Sequence, residues 1–333
     1  MLTFTSFSTP PEGNGKCASE TSLYATSGQD SSIRKLINGT WTVIGNPTGY
    51  NNPTSLAVTS DGQTIVVSKG EVGANKISTD GGNSWTVIAG GTGVGYLNSG
   101  AVGNKFYFTL ETFDPYVLTT AVYDGSWHTI TPSNIYISNV CGSAGNYLAT
   151  KNDGTVWSST DGLAWSQLSA QPTLGMGGML SGITFSAGKF YIVIQGMMGN
   201  EIQSYSNGSW TQETTSGLDV ISQPLGILAN AASSPAMEWY LYVPDMMGTM
   251  YQAVSYSIPA TIAGDVTIEP VGGVINLAAP VEVTGTSSLT LNVPSLDEIQ
   301  GTGHILVAAG GHLKVGNGQE IAVTDGTRYE LAP

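Results

Sequence analysis

The chain has 333 residues, with 10 basic and 24 acidic side chains and a formal net charge of −14. This acidic balance argues against the binding of nucleic acid, for which a basic patch is the usual requirement. Few charges, 44 glycines and little helical patterning favour an all-β chain, with space for one large domain and one small one.

The N-terminal segment, residues 1–7, lacks both the basic start and the long apolar core of a secretory signal. No apolar run in the chain reaches the length of a membrane span. We therefore expect a protein that is made in the cytoplasm and does not insert into a membrane.

Five tryptophans recur along the first two thirds of the chain, each shortly after a turn signal such as Asp124-Gly125 or Asn207-Gly208. Asp-Gly and Asn-Gly pairs favour tight hairpin turns because these residues tolerate a positive φ. The gaps between the tryptophans are 44, 42, 38 and 45 residues, a period typical of four-stranded propeller blades. The five residues are Trp41, Trp85, Trp127, Trp165 and Trp210.

The four-strand template fits repeatedly and predicts a six-bladed β-propeller over residues 1–258. The last blade, around 224–257, has no clear outer strand, while Leu2 to Phe7 is left over as a strand before the first blade. We predict that this N-terminal strand becomes the outer strand of the last blade. Closing the ring in this way would remove exposed sheet edges.

The two cysteines occupy equivalent positions in blades that are three apart, because residues 12–26 align without a gap with residues 136–150. Cys17 and Cys141 then lie on opposite sides of the propeller. A disulfide needs Cα atoms within roughly 7 Å, so we predict that both cysteines are free.

From about residue 260 the pattern changes to repeats of eight residues, and residues 259–333 are predicted to form a small, separate β domain. Positions two and four of the octads are apolar, as in Val281 and Val283, which indicates short strands with one buried face. Asp297 interrupts the pattern once. Strands this short bury little surface alone, so we expect a β-solenoid or an interwoven fibre-like trimer, with the homotrimer favoured.

Two turns carry a specific motif, Ser/Thr-x-Asp-x-Gly-x-x-Trp. Its full form comprises Ser78, Asp80, Gly82 and Trp85, and a version one residue shorter comprises Ser159, Asp161 and Trp165. The chain therefore resembles the Asp-box (BNR) repeat propellers, a fold shared by sialidases, other glycan-acting enzymes and adhesins. The resemblance implies structural roles, in which the aspartate holds the turn between the third and fourth strands and the tryptophan packs between blades.

The resemblance does not extend to sialidase activity. That chemistry needs three arginines around the substrate carboxylate, and residues 1–258 contain only Arg34. No Ser-His-Asp arrangement or phosphate-binding loop is evident, so no catalytic residue is assigned and no cofactor is expected. His304 and His312 share octad position one and would form a metal site if they stacked, but exposed turn residues are the simpler interpretation.

Six of the nine methionines fall in glycine-flanked loops that the propeller template places on one face of neighbouring blades. Flexible apolar side chains on turns make an adaptable contact surface. The alternative is that they fold inward and plug the mouth of the channel. The candidate binding residues on this face, aromatic residues included, are Tyr50, Tyr96, Phe113, Tyr116, Met176, Met179, Met197, Met198, Met246 and Met247.

A propeller head joined to a fibre-like module resembles viral, especially bacteriophage, spike or tail-fibre proteins. The resemblance implies a protein of the virion surface that binds a host receptor, most simply a glycan, and that contacts other virion proteins through its C-terminal domain. The sequence favours this binding function over an enzyme. The alternatives are a glycan hydrolase or lyase on the same scaffold, for which Asp114 and Asp245 are candidate carboxylates, and a purely structural assembly protein.

Overall fold

The computed structural model is built from β-strands, and the residues it describes contain no helix. None of the described residues therefore belongs to a helix that could cross a membrane. The structure describes residues 2–11, 16–19, 22–47, 53, 55–68, 75–89, 94–113, 116–143, 145–151, 153–186, 188–197, 199–218, 221, 224, 227–231, 238–245, 249–256, 261–262, 264–268, 275–277, 281–291, 299–301, 304–316, 318, 320–322 and 329–331.

Six four-stranded blades form the β-propeller that the sequence predicts. Two N-terminal strands come first, β1 (Leu2–Thr3) and β2 (Thr5–Ser8). Blade one consists of β3 (Lys16–Ala18), β4 (Leu23–Thr26), β5 (Ile33–Ile37) and β6 (Thr40–Gly45), and blade two of β7 (Ser55–Val58), β8 (Ile65–Ser68), β9 (Lys76–Ser78) and β10 (Thr86–Val87). Blade three consists of β11 (Val94–Val102), β12 (Lys105–Phe113), β13 (Tyr116–Tyr123) and β14 (Trp127–Thr129). Each is an antiparallel meander from an inner to an outer strand.

The next two blades follow the same order. They are β15 (Asn139–Ser143), β16 (Asn146–Thr150), β17 (Val156–Ser159) and β18 (Ser166–Gln167), then β19 (Met179–Ser186), β20 (Lys189–Gly196), β21 (Gly199–Ser206) and β22 (Ser209–Gln212). A short strand, β23 (Thr215–Ser216), precedes the last blade, which contains β24 (Leu228–Ala231), β25 (Glu238–Pro244) and β26 (Met250–Tyr256).

The N-terminal strand closes the last blade, as the sequence predicts. β2 pairs antiparallel with β26, with Thr5 opposite Gln252, and becomes the outer strand of the order β24-β25-β26-β2. β1 pairs in parallel with β23, and Leu2 and Phe4 are buried. The ring is thus closed by the two ends of the propeller sequence.

The turn signals form the predicted hairpins. Asn38 and Gly39 have φ values of 48° and 77°, and Asn207 and Gly208 have 51° and 82°. A positive φ at both central residues is the geometry of the type I′ turn, whose twist matches that of the flanking strands. Each turn leads directly into an outer strand that carries a tryptophan.

The core of the propeller consists of apolar layers between adjacent blades. One layer joins blades one and two and includes Cys17, Tyr24 and Leu56, with Trp85 packed against it. Cys17 and Cys141 are both free, as predicted, and burial raises the pKa of each thiol. Similar layers between blades two and three, three and four, and four and five contain Trp127, Trp165 and Trp210.

The C-terminal region winds as a β-solenoid in which one turn comprises three octads. Val281 pairs in parallel with Ile305 and Ser288 with His312, in both cases 24 residues later. The strands are β27 (Thr261–Ile262), β28 (Asp265–Ile268), β29 (Ile275–Leu277), β30 (Val281–Val283), β31 (Ser288–Leu291), β32 (Ile299–Gly301), β33 (Ile305–Val307), β34 (His312–Val315), β35 (Glu320–Ala322) and β36 (Tyr329–Leu331).

The apolar positions of the octads point into this solenoid. Val283, Leu289, Leu291 and Ile305 are fully buried within the single chain, so the burial that suggested a trimer needs no second copy here. The trimer stays a prediction. β35 and β36 reverse direction and pair antiparallel with β34 and β33, which ends the parallel stacking.

The chain divides into two compact units. One comprises Leu2–Asn230 with Leu241–Ala253, and the other contains Ala231–Tyr240 and Val254–Pro333. The predicted division at residue 258 stays a prediction.

Replacing Phe4 by alanine should lower the free energy of unfolding by about 3–5 kcal/mol, because it leaves a cavity where the closing segment is buried. Urea denaturation of both proteins measures this difference. Phe7→Ala is the matched control, since Phe7 is 39% exposed and should cost much less. Equal losses in the two variants would contradict the buried closure.

Candidate functional site

A tight turn carries one of the predicted methionines, Met176, and leads directly into the first strand of blade five, which begins at another, Met179. The amide of Gly178 donates a hydrogen bond to the carbonyl of Gly175 over 2.9 Å, which closes a four-residue turn. Gly177 has a φ of 68°, a conformation that glycine adopts without strain. Met176 therefore lies at the outer corner of the turn and is 86% exposed.

A second methionine site is the tip of the hairpin between β20 and β21. Met197 lies at this tip and is 80% exposed. A Cβ atom added to Gly177 would lie 3.1 Å from both Cγ and Sδ of Met197. The turn and the hairpin tip therefore touch, and Met176, Met179 and Met197 belong to one surface, called here the methionine surface.

The methionine surface is open to solvent. Its three side chains are the most exposed large hydrophobic ones in the described part of the chain, with Met179 at 67%. They do not fill the propeller as a plug. The next most exposed, Val87 and Val43, lie on the outer strands β10 and β6.

Blade four borders the same surface. A Cβ atom at Gly154 would lie 2.9 Å from Cδ1 of Leu174. The hairpin between β16 and β17 therefore contacts the residue that directly precedes the turn of Met176. In this hairpin Lys151 pairs with Asp153 over 2.8 Å and lies over the ring of Trp157. Burial, which raises the pKa of Asp153, is outweighed by hydrogen bonds from Lys151 and Thr155, and the pKa falls to about 2.

Four of the predicted binding residues, Tyr50, Met198, Met246 and Met247, lie outside the described residues. Tyr96 lies in β11, and the structure describes only its backbone. Phe113 and Tyr116 pair across the end of the β12–β13 hairpin, which corresponds to the hairpin tip of Met197 in blade five. The structure thus brings together three of the ten predicted side chains.

One buried carboxylate lies at the corresponding end of blade six. Asp245 follows β25 and is only 3% exposed, and its amide donates to the carbonyl of Thr249 over 2.8 Å. Asp114, the other candidate carboxylate, lies outside the described residues. In the part of the chain that the structure describes, no group of three or more His, Cys, Asp or Glu side chains could hold a metal ion.

The Ser-x-Asp turns lie between the third and fourth strands of blades two and four, and both are fully hydrogen-bonded. The carboxylate of Asp80 accepts from the amide and the hydroxyl of Ser84 over 2.9 and 2.6 Å, and also from Ser78. The indole of Trp85 donates to the carbonyl of Gly82 over 3.0 Å. These bonds hold the carboxylate ionised and lower the pKa of Asp80 to about 2.

The shorter motif in blade four forms the same network. Asp161 accepts from the amides of Ala164 and Leu163, and these bonds lower its pKa below the ordinary range. The indole of Trp165 donates to Gly162 over 3.2 Å and packs edge-on against Tyr107 of the preceding blade. The polar atoms of both motifs are therefore engaged in the turns themselves.

The sequence did not reveal a cluster formed by Asp124 and Ser126, in the turn between β13 and β14, with His128 of β14. Nε2 of His128 lies 2.9 Å from Oδ1 of Asp124 and 3.0 Å from Oγ of Ser126. A relay of the serine-hydrolase type uses both ring nitrogens, one for the serine and one for the acid. Here both partners share one nitrogen, so the cluster stabilises a turn rather than activating the serine.

The two histidines of the octad repeat do not stack. β33, which His304 precedes, and β34, which contains His312, belong to different sheets of the solenoid, because stacked residues are 24 positions apart and not eight. Nδ1 of His312 lies 2.8 Å from Oε1 of Glu320. The stacking that a metal site shared by these two histidines would need is therefore not present in the solenoid.

No protein-family model matches the chain, and no curated protein matches it. Solved structures do match. Regucalcin, a calcium-binding protein from Agrobacterium tumefaciens, is 11% identical with a TM-score of 0.52, and the match covers 76% of this chain and 95% of that one. A gluconolactonase from Xanthomonas campestris is 11% identical with a TM-score of 0.52, over 75% and 88% of the two chains.

A third match is the virginiamycin B lyase from Staphylococcus aureus, at 14% identity and a TM-score of 0.47, over 76% of this chain and 87% of that one. These structures include enzymes and a binding protein. At such low identities the likeness to regucalcin and to the gluconolactonase, whose TM-scores exceed 0.5, establishes the six-bladed propeller fold alone.

The double substitution Asp80→Asn with Asp161→Asn should flatten the acid dependence of stability. Both carboxylates have lowered pKa values in the folded state, so their contribution is complete above the unfolded pKa of about 4. This contribution to stability is lost as the pH falls towards the pKa of the folded state, which is about 2 for Asp80. Thermal melts between pH 7 and pH 2 measure this slope.

Glu201→Gln is the control that removes one charge elsewhere in the propeller. The double variant should melt at a lower temperature than the parent at pH 7 and approach it at pH 2. Parallel melting curves across the whole range would contradict a stabilising role for the two carboxylates.

Proposed function

We propose that this protein is a binding protein and that the methionine surface is its contact surface. The proposal depends on one observation: Met176, Met179 and Met197, on a turn, the strand end that follows it and the adjoining hairpin tip, are the most exposed large apolar side chains described. Covering a methionine fully releases about 1.5–3 kcal/mol relative to leaving it in water. Exposed apolar side chains that lie together form a patch, and such patches typically mark protein contact sites.

The chemistry of the surface favours a protein partner over a glycan. Methionine offers a flexible, polarizable side chain that adapts to irregular apolar surfaces, but it has no strong hydrogen-bond donor or acceptor for sugar hydroxyls. Lys151 and Asp153 add one charge of each sign at the border. We therefore propose an apolar patch on a protein receptor as the ligand, and the glycan expected from the sequence becomes the other outcome of the test.

In its narrower form the proposal places the protein on the surface of a virion, with a host-cell receptor bound by the propeller. The C-terminal solenoid would then contact other virion proteins or further copies of the chain. The arrangement of a propeller followed by a short repeat domain supports this form, and the trimer belongs to it as a prediction.

The triple variant Met176→Ser, Met179→Ser, Met197→Ser should bind about tenfold more weakly or worse, because it removes the apolar part of the contact. Flow cytometry of the labelled protein on a panel of bacterial strains measures binding. Val43→Ser with Val87→Ser is the matched control, since it removes exposed apolar side chains from outer strands. It should bind like the parent protein.

Treating the cells separates the two classes of receptor. Protease treatment should abolish binding, whereas periodate oxidation of glycans should leave it unchanged. The reverse result would assign a glycan receptor, and undiminished binding of the triple variant would reject the methionine surface. Absence of binding to every strain would reject the host-receptor form.

A second candidate function is an enzyme, which Asp245 favours as a carboxylate that is nearly inaccessible to water yet follows the second strand of blade six. Among proteins with a similar fold, one is a gluconolactonase. If this function is correct, the protein should hydrolyse lactones or degrade bacterial polysaccharides, and Asp245→Asn should abolish turnover. Asp153→Asn, which changes a half-exposed carboxylate, should not. If the parent protein turns over none of these substrates, the enzyme function is rejected.

A further inference from the structure

Two glutamine side chains hold the loop that carries Met176 and Met179, and neither belongs to a recognised motif. We infer that Gln171 and Gln203 are positioning residues that clamp this loop between blades four and five. The purpose of the clamp rests on the proposed function, because a rigid loop presents the methionine surface ready for contact. The clamp itself is independent of any partner.

Gln171 binds the loop to blade four. Its Oε1 accepts a hydrogen bond from the backbone amide of Val156 over 2.8 Å, and its Nε2 donates to the carbonyl of the same residue over 3.0 Å. Nε2 also donates to the carbonyl of Leu168. The amide of Leu168 also donates to the carbonyl of Val156 over 2.9 Å. The side-chain amide of Gln171 thus bridges the amide of Val156 and the carbonyl of Leu168, just past the two residues of β18.

Gln203 binds the other side of the loop to blade five. It lies in β21 with only 4% of its surface exposed. Its Nε2 donates to the carbonyl of Thr173 over 2.7 Å, and its Oε1 accepts from the amide of Thr173 over 3.3 Å. A third anchor is the indole of Trp210, which donates to the carbonyl of Ala170 over 3.0 Å.

The pairing requires this type of side chain. A primary amide is the one group that donates and accepts side by side as a peptide does, so it can satisfy both backbone groups of one residue. A carboxylate lacks the donor, and an apolar side chain lacks both. Asparagine is one methylene shorter and would draw the amide away from Thr173.

The anchors lie immediately before the exposed turn. Ala170, Gln171 and Thr173 are fixed, and the turn from Gly175 to Gly178 follows within two residues. A contact surface on a fixed loop loses less conformational entropy on binding than one on a mobile loop. The two glutamines therefore contribute to affinity without touching the partner.

Hydrogen exchange of the full-length protein tests the clamp without any ligand. Gln203→Met keeps the length and volume of the side chain but leaves the amide of Thr173 without its acceptor. We expect this amide to exchange roughly tenfold to a hundredfold faster. Gln212→Met is the matched control, because Gln212 lies opposite Gln203 on β22 but is exposed.

The control variant should leave the exchange of Thr173 unchanged, and amides in the blade core should keep their protection in both variants. Unchanged exchange of Thr173 in a folded Gln203→Met protein would overturn the inference. If that variant does not fold, Gln171→Met provides the test, with the amide of Val156 as the reporter and the same criterion.

Two further measurements separate the clamp from the proposed function. Gln203→Glu restores the acceptor but not the donor, so it should not recover the slow exchange fully; full recovery would contradict the reciprocal pairing. The Gln203→Met protein is also measured in the cell-binding assay. Faster exchange of Thr173 together with weaker cell binding supports both the clamp and the contact surface. Faster exchange with unchanged binding retains the clamp and rejects its role in binding.

Discussion

The propeller depends on how each blade is joined to the next. The apolar layers lie between blades, and tryptophans from the turn-strand repeat complete them with an indole hydrogen bond. Trp127 and Trp210 donate to the carbonyls of Ala89 and Ala170, which precede their own blades, while Trp85 and Trp165 donate within their turns. A short β-blade cannot bury both of its faces alone, so these layers hold blades one to five together.

Because the blades are packed against one another, the loops that join their strands are free to carry exposed side chains. The strands set the positions of the loop ends. The loop between blades four and five and the β20–β21 hairpin can then carry exposed apolar side chains without disturbing the core. Gly177 and Gly178 permit the sharp turn that displays Met176, because a side chain at either position would meet neighbouring atoms. The amides of Gln171 and Gln203 then fix the loop to both blades.

Much of this architecture was predictable because it is periodic. The tryptophan period predicted the blades, and the unpaired segment at Leu2 predicted the closing strand. The octads predicted the solenoid strands, but not that three octads make one turn, so the sequence could not show that His304 and His312 belong to different sheets. The glutamine clamp could not be predicted, because Gln171 and Gln203 bind backbone groups 15 and 30 residues away and follow no repeat.

Three methionines, Met176, Met179 and Met197, are displayed to solvent on one surface. Methyl NMR of the methionine-labelled protein with a soluble paramagnetic agent tests this exposure most directly, because relaxation of each methyl group reports its contact with solvent. The methyl groups of Met176, Met179 and Met197 should relax strongly, and that of Met250, which is fully buried, should not. Protection of the three methyl groups to the level of Met250 would contradict the account.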